Sequence, residues 1–281
     1  MYGTLYLCAT PIGNLEDITI RVIRLLKECD IIAAEDTRHT LKLLNHFNIQ
    51  TPLTSYHEHN KISKSKQLIE ILKSGKNIAL VTDAGMPGIS DPGIDMVSLC
   101  YKENINVTVS PGAVAGITAI VLSGMDTRRF IFEGFLPYDK KEKKEIIENI
   151  KYETRTTILY ESPHHLKNTL KELYTSLGNR NAACIREITK KYEEVIKKPL
   201  SDLINYYNIN KPKGEFVIII EGISKNELKK YQTLKFETMT IENHLLEYIE
   251  KGISEKEAMK KVAKDRGVSK REIYSYIHNL K

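Results

Sequence analysis

The segment VTDAGMPGISDPG at residues 81–93 carries the densest set of groups that could bind a ligand. Its glycines, prolines and aspartates predict a loop whose backbone can approach a ligand closely. The segment contains no lysine or arginine, and it lacks the spacing of a P-loop or of a dinucleotide-binding fingerprint. We therefore expect a site for a ligand that is polar but not anionic.

Other segments place polar groups where predicted strands end. They are TPIGNLED (10–17), AEDTRHT (34–40), ESPHH (161–165) and IREITKKYEE (185–194). AEDTRHT brings Glu35, Asp36 and Arg38 next to one another, which is more than the cap of a following helix requires. Together these segments predict a catalytic or binding site.

The histidines and cysteines predict no metal site. YHEHN (56–60) has His57 and His59 in an HxH spacing, but the sequence offers no third ligand at a suitable distance. A Ser-His-Asp hydrolase is not supported, because the sequence has no G-x-S-x-G motif. The four cysteines form no CxxC pair, which favours a reducing compartment over a disulfide framework.

The first 125 residues must position the early loops by alternating strands and helices. The predicted strands are 4–9, 30–35, 77–83 and 106–110, and the predicted helices are 19–28, 61–75, 94–103 and 111–123. This alternation predicts a mostly parallel sheet with helices on both faces. Ligands of such sheets bind beyond the carboxyl ends of the strands, so the loops that follow the strands should share one edge.

The same pattern restarts in the second half of the chain. The predicted strands are 129–135, 156–162, 181–188 and 214–222, with helices over about 139–151, 164–176 and 200–208. A boundary near residues 126–130 predicts an N-terminal α/β domain at 1–125 and a second α/β domain at 126–225.

The segment 240–281 predicts a basic helical extension. Ser254 and Ser269 are each followed by Glu three residues later, which predicts two capping boxes, and Gly252 and Gly267 punctuate the helices. Residues 251–271 hold eight Lys or Arg against three Asp or Glu. A helix, a short turn and a second helix resemble a helix-turn-helix, so this extension is either a solvated hairpin or a nucleic-acid contact.

The composition bounds the class of protein. With 281 residues, 41% of them hydrophobic and 28% charged, the chain should bury sizeable cores as a soluble globular protein. Its net charge of +6 indicates an anionic partner only where the charge clusters. The N-terminal residues lack a secretory signal pattern, and the run 112–125 is too short to span a bilayer, so we expect a cytoplasmic protein with no membrane association.

Nine motifs occur in a fixed order between about residues 3 and 222. They are TPIGNLEDIT, AEDTRHT, SYHEHN, DAGMPGISDPG, SPGAVAGITA, EGFLP, YESPHHL, REITKKYEE and KGEFVIIIEG. Together they resemble the tetrapyrrole methylase superfamily, and within it the branch that methylates small-subunit ribosomal RNA. The resemblance implies two α/β domains with S-adenosylmethionine in the cleft between them, usually within a homodimer.

The implied cofactor suits the loop at 81–93. S-adenosylmethionine carries a sulfonium, an ammonium, a carboxylate and an adenosine, but no phosphate. By matching motifs, the resemblance implies cofactor contacts at Pro11, Asp83, Gly85, Met86, Ser110, Pro111, Gly112, Ala113, Tyr160 and Gly214. His165 stands where this resemblance implies an arginine.

The implied reaction is methyl transfer to the ribose 2′-hydroxyl of a cytidine, cytidine 1402, in 16S rRNA of the small ribosomal subunit. A ribose hydroxyl is a weak nucleophile near neutral pH, so a positioned base would help. We expect Asp36 first, then Glu35 and Glu187, as candidate bases. The residues expected to contact the RNA are Arg38, His57, His59, Arg186, Lys260, Lys264 and Arg271.

Three alternatives remain open on the sequence. One is a methyltransferase of the same superfamily that acts on a tetrapyrrole ring or on a translation factor. Another is a non-catalytic RNA-binding protein on the same scaffold. The third is a metal-dependent hydrolase that uses the Asp and His loops, which would lose activity on chelation.

Overall fold

The computed structural model describes the backbone of residues 1–278 and the side chains of 1–231 and 239–277. The chain forms two compact units. The first, called the body, comprises Met1–Glu148 and Thr156–Glu221. The second, called the C-terminal unit, comprises Asn149–Arg155 and the chain from Gly222 onward.

The first sheet of the body has five strands. They are β1 (Thr4–Cys8), β2 (Ile31–Ala34), β3 (Leu53–Ser55), β4 (Ile78–Val81) and β5 (Asn106–Ser110). Every pairing is parallel, and the order across the sheet is β3-β2-β4-β1-β5. The connecting helices are α1 (Ile20–Glu28), α2 (Thr37–His46), α3 (Lys61–Lys73), α4 (Gly93–Lys102) and α5 (Ala115–Ser123). The predicted parallel sheet is confirmed.

Burial explains why these segments form strands and helices. β4 is buried at all four positions, as expected for a central parallel strand covered on both faces. α1 buries Val22, Leu25 and Leu26, which recur at helical spacing on one face. The Thr19 side chain caps this helix by accepting a hydrogen bond from the Val22 N–H.

The second sheet of the body is mixed. Its strands are β6 (Phe130–Phe135), β7 (Thr156–Glu161), β8 (Asn181–Arg186), β9 (Glu194–Pro199) and β10 (Phe216–Ile220). The order is β6-β7-β10-β8-β9, with β6 and β7 parallel and the remaining pairs antiparallel. Its helices are α6 (Lys140–Lys151), α7 (Leu166–Leu177) and α8 (Leu200–Ile209).

Helix α5 joins the two sheets into one body. The chain places it in the first half, yet Ala119 and Ile120 pack in one core with Ile158, Ile185 and Val217 of the second sheet. The boundary predicted near residues 126–130 therefore follows a helix that packs on the second sheet, and the predicted domain limits stay predictions.

The C-terminal unit is helical. It contains α9 (Lys225–Thr238), α10 (Ile241–Ile249), α11 (Glu255–Arg266) and α12 (Lys270–His278). Leu245, Met259, Val262 and Ile273 belong to its small core. Helical structure after Ser254 and Ser269 was predicted, and residues 279–281 of the predicted extension lie outside the described residues.

Only one of the two predicted capping boxes forms. Ser269 and Glu272 exchange hydrogen bonds at 2.6–3.3 Å, as predicted. Ser254 makes no side-chain cap, and the Glu257 carboxylate binds Lys260 Nζ at 2.7 Å. The capping box predicted at Ser254 is wrong.

All four cysteines are buried free thiols. Burial raises the pKa of Cys8, Cys29 and Cys184 to about 12 and that of Cys100 to about 11. Thiolates are therefore disfavoured at neutral pH. Among the described helices, none has both the length and the apolar character needed to cross a membrane.

Candidate active site

A cavity of about 390 Å³ lies in the body at the edge where the loops of both sheets meet. This volume is typical of small-ligand sites, and the edge is the one where open α/β sheets bind ligands. It is lined by Ile12, Glu35, Thr82, Asp83, Ala84, Gly85, Met86, Ile89, Ser90, Asp91, Val114, Ala115, Phe135, Tyr160, Glu161, Ser162, Pro163, Glu187, Ile188, Lys190, Glu215, Phe216 and Val217.

Asp91 shapes the loop that follows β4. Its carboxylate accepts hydrogen bonds from the backbone N–H groups of Gly88 (2.8 and 3.0 Å), Ile89 (3.1 Å) and Gly93 (2.8 Å). Burial raises the pKa of Asp91, and these hydrogen bonds oppose that rise. One of the loop's own carboxylates thereby fixes the conformation of the loop.

Backbone hydrogen bonds join the loops after β1 and β4. Thr10 donates its N–H to the Gly85 carbonyl at 2.9 Å, and Gly85 returns the bond to the Thr10 carbonyl at 3.1 Å. Gly85 has φ +83°, and a Cβ there would lie 3.2 Å from Ile12 Cγ2 and 3.3 Å from the Ala113 carbonyl oxygen. Glycine is needed at this position because the backbones approach so closely.

Two carboxylates line the wall formed by the first sheet. Glu35 accepts hydrogen bonds from the Thr82 hydroxyl at 2.7 Å and from the Asp83 N–H at 3.4 Å. Asp83 accepts one from the Asp36 N–H at 2.9 Å. Burial raises the pKa of Asp83, and the charge of Glu35 adds to the rise. A positively charged ligand group beside these carboxylates would stabilise their charged forms.

The charges around the whole cavity are strongly unequal. Among the described lining residues there are six carboxylates and one ammonium: Glu35, Asp83, Asp91, Glu161, Glu187, Glu215 and Lys190. The ammonium is already partnered, because Lys190 Nζ lies 3.0 Å from Glu187 Oε1. This balance disfavours a phosphate and favours a ligand with positive charge.

The wall from the second sheet contains strained backbone. Glu187 has φ +51° and Thr189 has φ +66°, both in the left-handed region that costs free energy for residues other than glycine. Gly214 packs against Glu187, since a Cβ at this glycine would lie 2.4 Å from Glu187 Oε1. Such strain is concentrated at functional sites.

Aromatic rings supply the apolar side of the cavity. The Tyr160 ring lies 5.1 Å from the Phe132 ring and 5.5 Å from the Phe135 ring. The Tyr160 hydroxyl accepts a hydrogen bond from the Gly116 N–H at 3.1 Å, which fixes the ring. This surface suits a flat heterocycle or a thioether chain.

The residues predicted to bind the cofactor divide into two groups. Asp83, Gly85, Met86 and Tyr160 line the cavity. The others lie outside its lining. Pro11, Gly112, Ala113 and Gly214 are within two residues of Ile12, Val114 or Glu215. Ser110, which ends β5, and Pro111 precede Val114 by four and three residues. Ser110 is fully buried and its hydroxyl accepts a hydrogen bond from Arg21 Nε at 3.2 Å.

The predicted bases also divide. Glu35 and Glu187 line the cavity, whereas Asp36 does not. The Asp36 carboxylate caps α2 and binds Arg38 through Nε at 3.1 Å and Nη2 at 2.7 Å. The hydrogen bonds from Arg38 hold the pKa of Asp36 well below its usual range. A carboxylate in this state is a poor proton acceptor.

The residues predicted to contact RNA belong to both units. In the body, the Arg38 side chain is 88% exposed, whereas Arg186 is paired with Glu194 Oε2 at 2.7 Å. The rings of His57 and His59 lie 6.0 Å apart, and His57 Nδ1 is buried without a described hydrogen-bond partner. In the C-terminal unit, Lys260, Lys264 and Arg271 are exposed.

Some lining residues were not predicted. Phe135 and Ser162 belong to the quoted motifs EGFLP and YESPHHL, which indicated the loops but not these side chains, whereas Glu161 was noted among the polar groups of ESPHH. Glu161 is buried and accepts hydrogen bonds from Thr169 Oγ1 at 2.5 Å and from the Ser162 N–H at 2.7 Å. The part of the chain that the structure describes contains no group of three or more His, Cys, Asp or Glu arranged to hold a metal ion.

The sequence matches known proteins over nearly its whole length. The family of tetrapyrrole (corrin/porphyrin) methylases matches residues 4–204. The chain is 51% identical over 276 residues to a protein of Halalkalibacterium halodurans, covering 98% of this chain and 95% of that protein. It is 50% identical to a protein of Bacillus subtilis, covering 98% and 94%. Both relatives are named ribosomal RNA small subunit methyltransferase I.

Solved structures share the fold at low sequence identity. A diphthine synthase aligns with a TM-score of 0.61 at 17% identity, over 78% of this chain and 90% of that one. A uroporphyrin-III-C-methyltransferase from Thermus thermophilus aligns with a TM-score of 0.56 at 16% identity, over 77% and 94%. The two-sheet body thus shares the fold of these two proteins, and the chain belongs to the tetrapyrrole methylase family, in the branch of relatives named ribosomal RNA small subunit methyltransferase I.

Proposed function

We propose that this protein transfers a methyl group from S-adenosylmethionine to the ribose 2′-hydroxyl of a cytidine in 16S rRNA, cytidine 1402. The observation that carries the proposal is the acidic cavity of about 390 Å³. Its charge suits a sulfonium cofactor and disfavours a nucleoside triphosphate or a dinucleotide. The substrate class is supported by the two relatives that are about half identical to this chain and carry the small-subunit rRNA name.

The residues of the cavity fit the cofactor. Asp83 and Glu35 would attract its positive groups, and Tyr160 with Met86 would cover its apolar parts. Gly85 lets the loop after β4 pack closely against Ile12 and Ala113, which fixes this part of the cavity wall. When bound, the cofactor supplies a methyl carbon that its positive sulfur already activates.

The protein must also accept the proton of the ribose hydroxyl. Asp36 was the first sequence candidate, but its carboxylate is engaged by Arg38. We therefore propose Glu35 and Glu187, which line opposite walls of the cavity, as the acceptors. Alignment of the hydroxyl in a site that excludes water should supply much of the rate acceleration.

The RNA would be held by exposed cations outside the cavity. Lys256, Lys260 and Lys264 recur every fourth residue on α11, so they form one exposed row. Together with Arg271 and Arg38 they would contact phosphates, which orient RNA without reading its bases. Contacts from His57, His59 and Arg186, a homodimeric state and a cytoplasmic location remain parts of the same proposal.

The deciding experiment is transfer of a tritiated methyl group to 30S subunits that lack the modification, followed by mapping of the label. Label on a cytidine ribose 2′-oxygen is expected. Label elsewhere in the RNA would refute the assigned position. Cofactor binding without any label on the RNA would instead favour a tetrapyrrole or translation-factor substrate, or a non-catalytic scaffold. Loss of labelling on chelation would favour a metal-dependent reaction.

A further inference from the structure

Two exposed aromatic side chains lie at the end of β6 and just after it, and the first of them lines the cavity. Phe135 lines the cavity and is 59% exposed, so it belongs to both the wall and the surface. Tyr138 is 91% exposed. It follows Phe135 by three residues, which can span no more than about 11 Å. A tyrosine ring this exposed beside a ligand cavity contributes little to folding and is available to a partner.

A second loop brings an imidazole to the same place. His165 follows Pro163, a lining residue, in the loop after β7. β6 and β7 are adjacent and parallel, so their loops leave the same edge of the sheet. The His165 ring lies 6.0 Å from the Tyr138 ring at an interplanar angle of 73°. We call Phe135, Tyr138 and His165 the mouth platform.

Cations begin immediately beyond the mouth platform. Lys140, Lys141 and Lys144, in the first turns of α6, are exposed and form no ion pair with another described residue. Lys143, by contrast, is bound to Glu172 Oε2 at 2.6 Å and turns toward α7. Three unpaired ammonium groups thus adjoin an aromatic surface.

The cavity and the surface around it suit different parts of the RNA. The lining carries six carboxylates, so it repels the phosphates on either side of a nucleotide that enters it. Those phosphates must therefore find cations outside. The neighbouring bases, once separated from the inserted nucleotide, expose π-faces that stack on aromatic side chains.

We propose that the mouth platform stacks a base of single-stranded RNA next to the nucleotide that enters the cavity, while Lys140, Lys141 and Lys144 contact the adjacent phosphates. This inference rests on the proposed function. It assigns Tyr138 and His165 to substrate binding rather than to cofactor binding or to the chemical step.

The test measures binding of a fluorescent single-stranded oligoribonucleotide and of S-adenosylmethionine to full-length variants. Tyr138→Ala should weaken RNA binding about tenfold or more, as loss of a base–aromatic stack does. Tyr138→Phe keeps the ring and should stay within about twofold, since stacking needs only a π-face. Tyr101→Ala removes a ring that is 66% exposed on α4, outside the cavity lining, and should change nothing. Cofactor affinity should be equal in all three variants.

The salt dependence of RNA binding distinguishes the contribution of the mouth platform from that of the lysines. Tyr138→Ala should leave the slope of log affinity against log salt unchanged, whereas replacing Lys140, Lys141 and Lys144 by alanine should reduce it by about 0.7 for each lost phosphate contact. A change of charge in the opposite direction, Glu142→Gln with Glu145→Gln on the same helix, should strengthen binding.

Three outcomes would overturn the proposal. Equal RNA affinities of Tyr138→Ala and Tyr101→Ala would exclude stacking. A fall in molecular mass by light scattering for Tyr138→Ala would show that a second copy of the chain covers the ring. Weakened S-adenosylmethionine binding would assign the ring to the cofactor. Because binding is measured without turnover, failure of methyl transfer alone would refute the proposed reaction and leave the stacking result standing.

Discussion

The cavity of the body and the surface of the C-terminal unit carry opposite charges and hold them in opposite ways. In the cavity, Glu35 and Asp83 are fixed by hydrogen bonds from a hydroxyl and from backbone N–H groups. On α11, Lys256 and Lys264 extend into solvent. Fixed and partly buried charges select a small ligand by position, whereas exposed charges attract a polyanion through counterion release.

Several acidic side chains of the C-terminal unit are bound by neighbouring residues, which strengthens this contrast. Glu257 binds Lys260, Glu272 caps α12 and Asp265 accepts a hydrogen bond from the Tyr248 hydroxyl. The ammonium groups of Lys251 and Lys261 lie 5.9 and 5.6 Å from the Tyr248 ring. The unit therefore presents more free positive than free negative charge to solvent.

Removal of one cavity charge should have the largest effect. Asp83→Asn should weaken S-adenosylmethionine binding by roughly ten- to a hundredfold, the range expected for a lost charge-assisted contact of about 1.5–3 kcal/mol. Titration calorimetry measures it. The variant should lose less affinity for S-adenosylhomocysteine, which lacks the sulfonium charge, than for S-adenosylmethionine. Equal losses for both ligands would mean that Asp83 recognises another part of the cofactor.

Removal of the exposed lysines should affect only the RNA. Replacing Lys256, Lys260 and Lys264 by alanine should reduce the salt slope of RNA binding by about 2, at about 0.7 for each phosphate contact. Affinity for S-adenosylmethionine should not change. The matched control replaces three exposed lysines of the body, Lys42, Lys66 and Lys102. If both triple variants behave alike, the charge of α11 has no special part in binding.

Acidic pH should affect ligand binding at the cavity but not RNA binding at α11, and both can be measured on one protein. Because the pKa of Asp83 is raised, its carboxylate is fully ionised only well above the ordinary aspartate pKa of about 4. Its contribution to cofactor affinity should be present at neutral pH and lost as pH falls through that raised pKa. RNA binding by α11 should not follow this profile. Asp83→Asn should remove this part of the pH dependence, and a profile identical to wild type would contradict the assignment.

Asp36→Asn should have a small effect, below about threefold in kcat, since Asp36 is bound to Arg38 and lies outside the cavity lining. Asparagine can also cap a helix. Asp126→Asn is a matched control, because Asp126 binds Arg128 with the same two-residue spacing at 3.0 and 3.1 Å. A fall of a hundredfold or more for Asp36→Asn alone would restore Asp36 as the proton acceptor.

Thiol reagents should have no effect on either region. All four cysteines are buried and their pKa values are raised to about 11 or 12. Ellman's reagent should therefore find no reactive thiol in the native protein and four after denaturation. Rapid labelling of a native thiol accompanied by loss of cofactor binding would show that a cysteine is open to the cavity.

The sequence predicted the elements that bury a continuous apolar run. β4 and the parallel first sheet followed from such runs alternating with amphipathic helices. β3 was absent from the expectation, because three half-buried residues give no periodic signal. β9 was also absent, because it lies at the sheet edge and ends in Pro199. The antiparallel pairing of β10 leaves no trace in the order of strands and helices.

The sequence predicted which loops form the site, but not the directions in which their side chains point. Glu35 and Asp36 are adjacent at the end of β2, and successive side chains of an extended segment point to opposite sides. One therefore lines the cavity while the other binds Arg38 on the surface. From the sequence we expected Asp36 first and Glu35 only after it. Only the backbone path decides which carboxylate meets a ligand.

The bonds of Asp91 to the loop after β4 have a thermodynamic consequence. Four N–H···O contacts from Gly88, Ile89 and Gly93 already order this loop without any ligand. Binding therefore need not be opposed by the conformational entropy of a loop that orders only around its ligand. Much of the interaction free energy then remains available as affinity, and association should be fast and nearly independent of loop motion.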